Sequence, residues 1–250
     1  MRSTHDGIRA LITGGSSGIG LAAATLMVER GWRVASLDVA PPARALDNVV
    51  FVQADLRDRE RVREAVDRAA AELGGLDVVV NNAGIGAVGA IEENSDEQWR
   101  DVFEVNVFAI ARVMSAALPH LRTSPGAAVV NTCSIAATAG LPKRALYSAS
   151  KGAVYALTLA MAADLVGEGI RVNCVNPGTV DTPWVSRLLA AAEDPQSERR
   201  ALEARQPLGR LVDAREVAEA IVYLASPASS SVTGTALAVD GGMQGLRPKR

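Results

Sequence analysis

Tyr147 and Lys151 are the residues of this sequence whose types and spacing point most directly to chemistry. A helix places positions i and i+4 on one face, so a helical segment here sets a phenol beside an ammonium group. An ordinary phenol exchanges its proton poorly near neutral pH, whereas a neighbouring cation favours the phenolate form. The pair could therefore act as a general acid or base. Taken alone, the spacing also fits a surface tyrosine stacked along a lysine stem, so the surrounding motifs must decide.

A glycine-rich turn near the N-terminus could hold the phosphates of a nucleotide. It runs from Thr13 to Gly20 as Thr-Gly-Gly-Ser-Ser-Gly-Ile-Gly, between a short apolar run and a helical segment. Glycines let the backbone turn tightly and approach a pyrophosphate, and a helix N-terminus supplies free N–H groups and a favourable dipole. Placed between the first strand and a helix, the motif predicts dinucleotide binding.

Asp38 indicates which dinucleotide binds. It ends the second apolar run, about 20 residues beyond the glycines, where a carboxylate accepts hydrogen bonds from the adenine ribose 2′-OH and repels a 2′-phosphate. No arginine or lysine lies in the glycine turn or next to Asp38, and Arg44 is the first basic residue after it. The sequence therefore predicts NAD in preference to NADP.

Short apolar runs alternate with amphipathic segments, and this alternation predicts the elements that position these groups. The expected strands cover 9–13, 32–38, 49–53, 76–81, 127–133, 171–176 and 236–239, and the expected helices cover 18–30, 58–73, 96–121, 147–166 and 214–224. Near-continuous apolar strands such as Val78 to Val80 are typical of a parallel sheet covered on both faces. The pattern predicts an α/β fold with a doubly wound parallel sheet. The long stretch 183–211 is expected to be irregular, as lids often are.

Composition and charge exclude several other classes of protein. The chain has 250 residues, 48% apolar and 22% charged, as in an ordinary globular protein. Its net charge of -2 gives no electrostatic case for binding nucleic acid or an anionic membrane. The two cysteines, Cys133 and Cys174, lie in apolar runs without metal-ligand spacing, and there are only two histidines. We expect no metal site, buried free thiols, no membrane span, no secretory signal and a reducing, cytoplasmic location.

Together the motifs resemble the classical short-chain dehydrogenases/reductases. Five segments match motifs of that family: Thr13–Gly20, Asn81–Gly84, Pro177–Thr182, Val232–Gly234 and Val239–Gly242. The resemblance covers about residues 7–243. It implies a single-domain Rossmann fold over residues 1–250 with a seven-stranded sheet, usually assembled as a homotetramer. The cofactor half would cover about 7–130, the catalytic and substrate half about 131–243, and the lid about 183–211.

The resemblance also implies roles for individual residues. Asn106, Ser134, Tyr147 and Lys151 match the family's catalytic tetrad in order and spacing. Ser134 would hydrogen-bond the substrate oxygen, and Tyr147 would be the general acid/base. Lys151 would assist Tyr147 and bind the nicotinamide ribose, and Asn106 would hold a water for proton relay. The implied cofactor-binding residues are Gly14, Ser16, Ser17, Gly18, Ile19, Gly20, Asp38, Asp55, Leu56, Asn82, Ala83, Gly84, Tyr147, Lys151, Pro177, Gly178, Val180 and Thr182.

Three arginines are candidates for binding an anionic substrate: Arg144, Arg187 and Arg205. A planar guanidinium binds a carboxylate through two hydrogen bonds. The alternative is that all three are charges facing solvent. Arg144 precedes the catalytic helix, whereas Arg187 and Arg205 lie in the expected lid.

A narrower resemblance bears on the substrate. Cys174 to Pro183 and Arg205 to Arg210 resemble cytosolic type 2 3-hydroxybutyrate dehydrogenases and bacterial 2-keto-3-deoxy sugar acid dehydrogenases. In that subgroup, arginines that match Arg144 and Arg205 bind the substrate carboxylate. A third arginine of the subgroup falls at Leu188 here, and the adjacent Arg187 is expected to point elsewhere on a helix. Trp184 is also large for a lid that must admit substrate.

The sequence thus predicts an NAD-dependent oxidoreductase that reversibly oxidises a secondary alcohol of a small hydroxy acid or sugar acid. One alternative is a dehydrogenase of a neutral sugar, polyol or other secondary alcohol. A second is a 3-oxoacyl-thioester reductase, which usually prefers NADPH and is therefore disfavoured by Asp38. A third is a noncatalytic NAD(H)-binding sensor, which we would expect to have lost Tyr147 or Lys151.

Overall fold

Seven parallel strands form one sheet through the centre of the molecule. A computed structural model describes residues 7–43, 46–190 and 192–248, so Arg44 lies outside the described residues. Including a separate two-stranded pair, the strands of the described residues are β1 Arg9–Thr13, β2 Arg33–Asp38, β3 Val49–Gln53, β4 Val78–Asn81, β5 Ala128–Thr132, β6 Arg171–Pro177, β7 Val180–Asp181, β8 Val212–Asp213 and β9 Ala236–Val239. The sheet order is β3-β2-β1-β4-β5-β6-β9, and β7 pairs with β8 separately. The predicted doubly wound α/β sheet is confirmed.

Helices cover both faces of this sheet. They are α1 Gly18–Glu29, α2 Arg59–Leu73, α3 Asp96–Phe103, α4 Ala109–Leu121, α5 Ala145–Leu165, α6 Pro183–Ala190, α7 Pro195–Ala204 and α8 Ala214–Ala225. Successive strand residues point to opposite faces, so Leu11 packs on the side of α2, α4 and α5, while Ala10 and Ile12 pack on the side of α1 and α8. Burial on both faces explains the continuous apolar strands.

The helix expected over 96–121 is interrupted. A π-helical turn, Glu104–Phe108, separates α3 from α4, and the N–H of Ala109 donates to the Glu104 carbonyl five residues back. Such a turn inserts one extra residue into the helix and is frequent at functional sites. Asn106 lies inside it and is buried. The helical region predicted over 96–121 is therefore present, with this π-helical turn inside it.

The stretch 183–211 was expected to be irregular, but it contains the helices α6 and α7. We call 183–211 the lid. Its helices share an apolar cluster of Val185, Leu189, Leu202 and Leu211 that is separate from the two clusters on the sheet. Pro195 occupies the first turn of α7, a position where its missing N–H costs nothing, and Asp194 caps that helix.

Two helical segments are long and apolar enough to cross a membrane by length and composition, Asp96–Leu121 and Ala145–Glu168. Core helices of an α/β domain pass the same test. Val113 and Leu121 from the first segment and Val154 from the second are fully buried in the cluster against the sheet. Both segments therefore contribute to the core, although Phe108, Leu159 and Val166 on them are exposed.

Candidate active site

The carboxyl ends of β1 and β4 meet where the strand order reverses, the place where open α/β sheets bind ligands. Thr13 joins the two ends, because its hydroxyl accepts hydrogen bonds from the backbone N–H groups of Asn82, at 3.0 Å, and Ala83, at 3.1 Å. The Asn82 amide donates back to the carbonyls of Thr13 and Gly14. Thr13 was not among the predicted site residues, although its side chain fixes this crevice.

The glycine turn has the conformation that its composition predicts. Gly14 and Gly18 adopt positive φ values of 67° and 52°. A Cβ on Gly20 would overlap the Gly14 carbonyl oxygen and lie 2.5 Å from the Asn82 side-chain nitrogen. Ser17 makes no side-chain cap to α1, and the buried Ser16 hydroxyl has no hydrogen-bond partner among the described residues. An uncapped helix start at a glycine turn fits the pyrophosphate of a dinucleotide.

Asp38 is fixed against the glycine turn. One carboxylate oxygen accepts from the Ser16 N–H at 3.0 Å, and the other accepts from the Val39 N–H at 2.8 Å. Arg57 reaches the same cavity, which the sequence did not indicate. Its guanidinium forms ion pairs with Asp101, at 2.6 Å, and Asp55, at 3.5 Å. Those two carboxylates compensate its charge.

These groups open on one cavity of about 620 Å³. All the predicted cofactor-binding residues line it except Ser16 and Gly20, which shape the turn from behind. Ser134, Tyr147, Lys151 and the three candidate arginines also line it, whereas Asn106 does not. Among the described residues, no group of three metal-ligating side chains occurs.

The helix α5 places Tyr147 and Lys151 on the face that borders this cavity. It begins at Ala145, two residues earlier than expected, and carries both side chains in its first two turns. The Lys151 ammonium is buried, donates to the Thr132 carbonyl at 2.8 Å and lies 5.8 Å from the centre of the Tyr147 ring. The structure thus holds the phenol beside a buried cation.

Ser134 follows β5 and faces the same space. It is 7% exposed, and its Oγ accepts the Ala136 N–H at 3.1 Å. A hydroxyl has one proton to donate besides its acceptor sites. Because Ala136 occupies only an acceptor site, the Ser134 proton can be donated to a ligand oxygen in the cavity.

Asn106 does not line the cavity but links two of the segments that form it. Its Oδ1 accepts from the Ile85 N–H at 2.8 Å, and its Nδ2 donates to the Ile85 carbonyl and to the Ser150 Oγ, both at 3.0 Å. The Ser150 hydroxyl in turn donates to the Tyr147 carbonyl at 2.8 Å. The side-chain amide therefore ties the segment after β4 to the catalytic helix, and its expected role in holding a water stays a prediction.

The three candidate arginines give the part of the cavity that they line a positive charge. Burial, followed by the nearby charge of Arg205, holds the pKa of Arg144 below its usual range. Among the described residues, Arg187 and Arg205 form no ion pair with a carboxylate. Arg187 lines the cavity, and so does the adjacent Leu188, where the resembled subgroup has its third arginine. An anion entering here would meet the guanidinium groups of Arg187 and Arg205, which form no ion pair within the described part of the chain.

Comparison with known proteins places this geometry in a family. Residues 14–244 match the family described as enoyl-(acyl carrier protein) reductase. The chain is 43% identical over 242 residues to cis-4-hydroxycyclohexanecarboxylate dehydrogenase of Sinomonas cyclohexanicum, covering 93% of this chain and 95% of that protein. It is 36% identical over 239 residues to dehydrogenase/reductase SDR family member 6 of Rattus norvegicus, covering 95% and 97% of the two chains.

A solved structure agrees over nearly the whole length. The ligand-free aldohexose dehydrogenase of Thermoplasma acidophilum superposes with a TM-score of 0.92 at 32% identity, covering 99% of this chain and 97% of that one. The family implies a nicotinamide dinucleotide, NAD or NADP, and a small alcohol as reactants. The chain belongs to the short-chain dehydrogenase/reductase family and is an oxidoreductase that acts on the CH–OH group of secondary alcohols.

Proposed function

We propose that this protein uses NAD to oxidise, reversibly, the secondary alcohol of a small hydroxy acid or sugar acid. The observation that carries the proposal is one cavity in which Tyr147, Ser134 and Lys151 share the space with Arg144 and two further arginines. The first three are suited to an alcohol, and the arginines are suited to a carboxylate.

The residues around the crevice fit the dinucleotide. The turn from Gly14 to Gly20 would hold the pyrophosphate, Asp38 the adenine ribose, and Asn82 to Gly84 with Pro177 to Thr182 the nicotinamide half. A nicotinamide held there would supply the hydride acceptor for oxidation of the carbinol carbon and the hydride donor for the reverse reaction. Asp38 supports NAD over NADP, because a 2′-phosphate would meet a fixed carboxylate, and the basic Arg57 is already paired with Asp101 and Asp55.

The protein's own contribution is to orient the alcohol and move its proton. Ser134 donates a hydrogen bond to the substrate oxygen and stabilises it as charge develops. Tyr147 takes the hydroxyl proton during oxidation and returns it during reduction. Lys151, fixed by the Thr132 carbonyl, lies beside the phenol and would bind the nicotinamide ribose. Asn106 keeps the helix that carries Tyr147 in register with the cofactor segment.

The relatives favour an acid that also carries an alcohol. The Sinomonas enzyme is named for a hydroxycyclohexanecarboxylate, which has both groups. The resemblance to 3-hydroxybutyrate and 2-keto-3-deoxy sugar acid dehydrogenases points the same way. The aldohexose dehydrogenase similarity supports the alternative of a neutral sugar or polyol substrate. By analogy with the family we also propose a cytoplasmic homotetramer.

A panel of hydroxy acids, sugar acids and neutral alcohols tests the proposal, with NAD⁺ or NADP⁺ as the oxidant and reduced cofactor followed by absorbance. We expect kcat/KM for a hydroxy acid to exceed that for the matching neutral alcohol by at least about tenfold, because a charged hydrogen bond contributes about 1.5–3 kcal/mol. NAD⁺ should support the higher rate. A higher kcat/KM for neutral sugars or polyols would contradict the proposed acid substrate and favour a neutral alcohol as the substrate.

Arg144→Ala and Arg205→Ala are each expected to raise KM for acids by roughly tenfold or more, with KM for neutral alcohols little changed. The reason is that each variant removes a guanidinium from the cavity without touching Tyr147. Arg200→Ala is a matched control, since Arg200 is exposed on α7 and does not line the cavity. Equal effects on acids and neutral alcohols would remove the anion-binding role.

A further inference from the structure

Trp184 lies in the lid but packs outside the lid's apolar cluster. It is the second residue of α6 and is 40% exposed, although it lines the cavity. The surface under its ring is Gly86, where a Cβ would lie 2.5 Å from Trp184 Cζ2 and 2.9 Å from Cε2. The indole therefore rests on the bare backbone of Gly86, and any side chain at that position would displace the ring.

The backbone beneath the indole is fixed at both ends. Both backbone polar groups of Ile85 are bound by the Asn106 amide. Further along, the Gly89 N–H donates to the Lys143 carbonyl at 3.0 Å, and its carbonyl accepts from the Ala145 N–H at 3.3 Å. Gly86 therefore cannot yield to the ring, and the position of the indole defines a wall of the cavity.

The same short segment joins this wall to the candidate carboxylate site. Gly89 pairs with Arg144, and Gly86 lies three residues before it, a span of at most about 10 Å even when fully extended. An apolar aromatic face and a guanidinium thus border neighbouring parts of one cavity. An acid with a compact apolar body matches this combination, because its carboxylate can meet Arg144 while its ring or alkyl chain lies against the indole.

We propose that Trp184 is the specificity-determining residue that limits the size of the substrate body, with Gly86 as its required support. The inference rests on the proposed oxidation of a hydroxy acid and deepens it. The substrate class is a hydroxy acid whose body between alcohol and carboxylate is a short alkyl chain or a single small ring. Removing the indole admits larger bodies, and adding a methyl group beneath it pushes the ring into the cavity or off its support.

The test compares wild-type protein with Trp184→Ala, Gly86→Ala and the double variant. The kinetic readout is the ratio of kcat/KM for cis-4-hydroxycyclohexanecarboxylate to that for 3-hydroxybutyrate. We expect Trp184→Ala to change this ratio by about tenfold or more in favour of the larger acid, with the affinity for NADH unchanged. Gly86→Ala alone should change this ratio relative to wild type. Added to Trp184→Ala, it should have little further effect, because the two residues are in contact.

Trp99→Phe is the control, since Trp99 stacks on Phe103 and does not line the cavity. A second readout does not need turnover: calorimetric titration of the NADH complex with the unreactive acids cyclohexanecarboxylate and butyrate. If wild type oxidises no hydroxy acid, the proposed function fails, and the binding ratio of these two acids still decides the role of Trp184. If Trp184→Ala moves neither ratio more than Trp99→Phe does, the inference is overturned.

Discussion

A Tyr147→Phe variant is expected to lose turnover by roughly 10²–10⁴-fold, the usual contribution of a positioned general acid or base. The substitution removes one oxygen and leaves the ring beside Lys151, so the cavity keeps its shape. NADH binding should therefore stay near the wild-type affinity. Steady-state absorbance measures the rate, and fluorescence titration of NADH measures the binding.

Tyr155→Phe is the matched control for this experiment. Tyr155 lies on the same helix, packs against the core cluster and does not line the cavity. Its variant should keep near-normal turnover. If Tyr147→Phe also turns over at a near-normal rate, proton transfer must pass through another group and the proposed mechanism is wrong.

Gly20→Ala should weaken NADH binding by about a hundredfold and lower the free energy of unfolding by about 1–3 kcal/mol. The added methyl group would meet the Gly14 carbonyl, which is backbone and can move only by distorting the turn that faces the pyrophosphate. Calorimetric titration of NADH and denaturant unfolding measure the two effects.

Gly167→Ala provides the comparison, because a Cβ there meets nothing within 4 Å. It separates the clash from the general effect of exchanging glycine for alanine. If Gly20→Ala kept wild-type affinity for NADH and wild-type stability, the turn would relax freely. The close contact at Gly20 would then not be required for cofactor binding.

The parts of the molecule that follow from local rules could be predicted from the sequence. The strands were found because both faces are buried, which gives runs such as Val78 to Val80. Tyr147 and Lys151 share a helix face by spacing alone. Asp38 reaches the glycine turn because it ends the strand beside β1.

Features that depend on tertiary contacts escaped prediction. The π-helical turn at Glu104–Phe108 has no local signal, since the same residues would fit a regular helix. The stretch 183–211 was expected to be irregular, yet Pro183 and Pro195 each begin a helix, where proline is tolerated. Arg57 lines the cavity and is paired with Asp101, 44 residues further along the chain. Such long-range pairings are not encoded in any short window of residues.

The lid side and the sheet side of the cavity are packed by separate apolar clusters. Val185, Leu189, Leu202 and Leu211 hold α6 and α7 together without drawing on either cluster of the sheet. Cooperative units with few buried contacts open at a lower free energy than the global unfolding transition. A lid held in this way is expected to open locally at a lower free energy than the sheet, while Ser134 and Lys151 stay buried. Ligands would then enter and leave through local opening of the lid, without any change in the positions of Ser134 and Lys151.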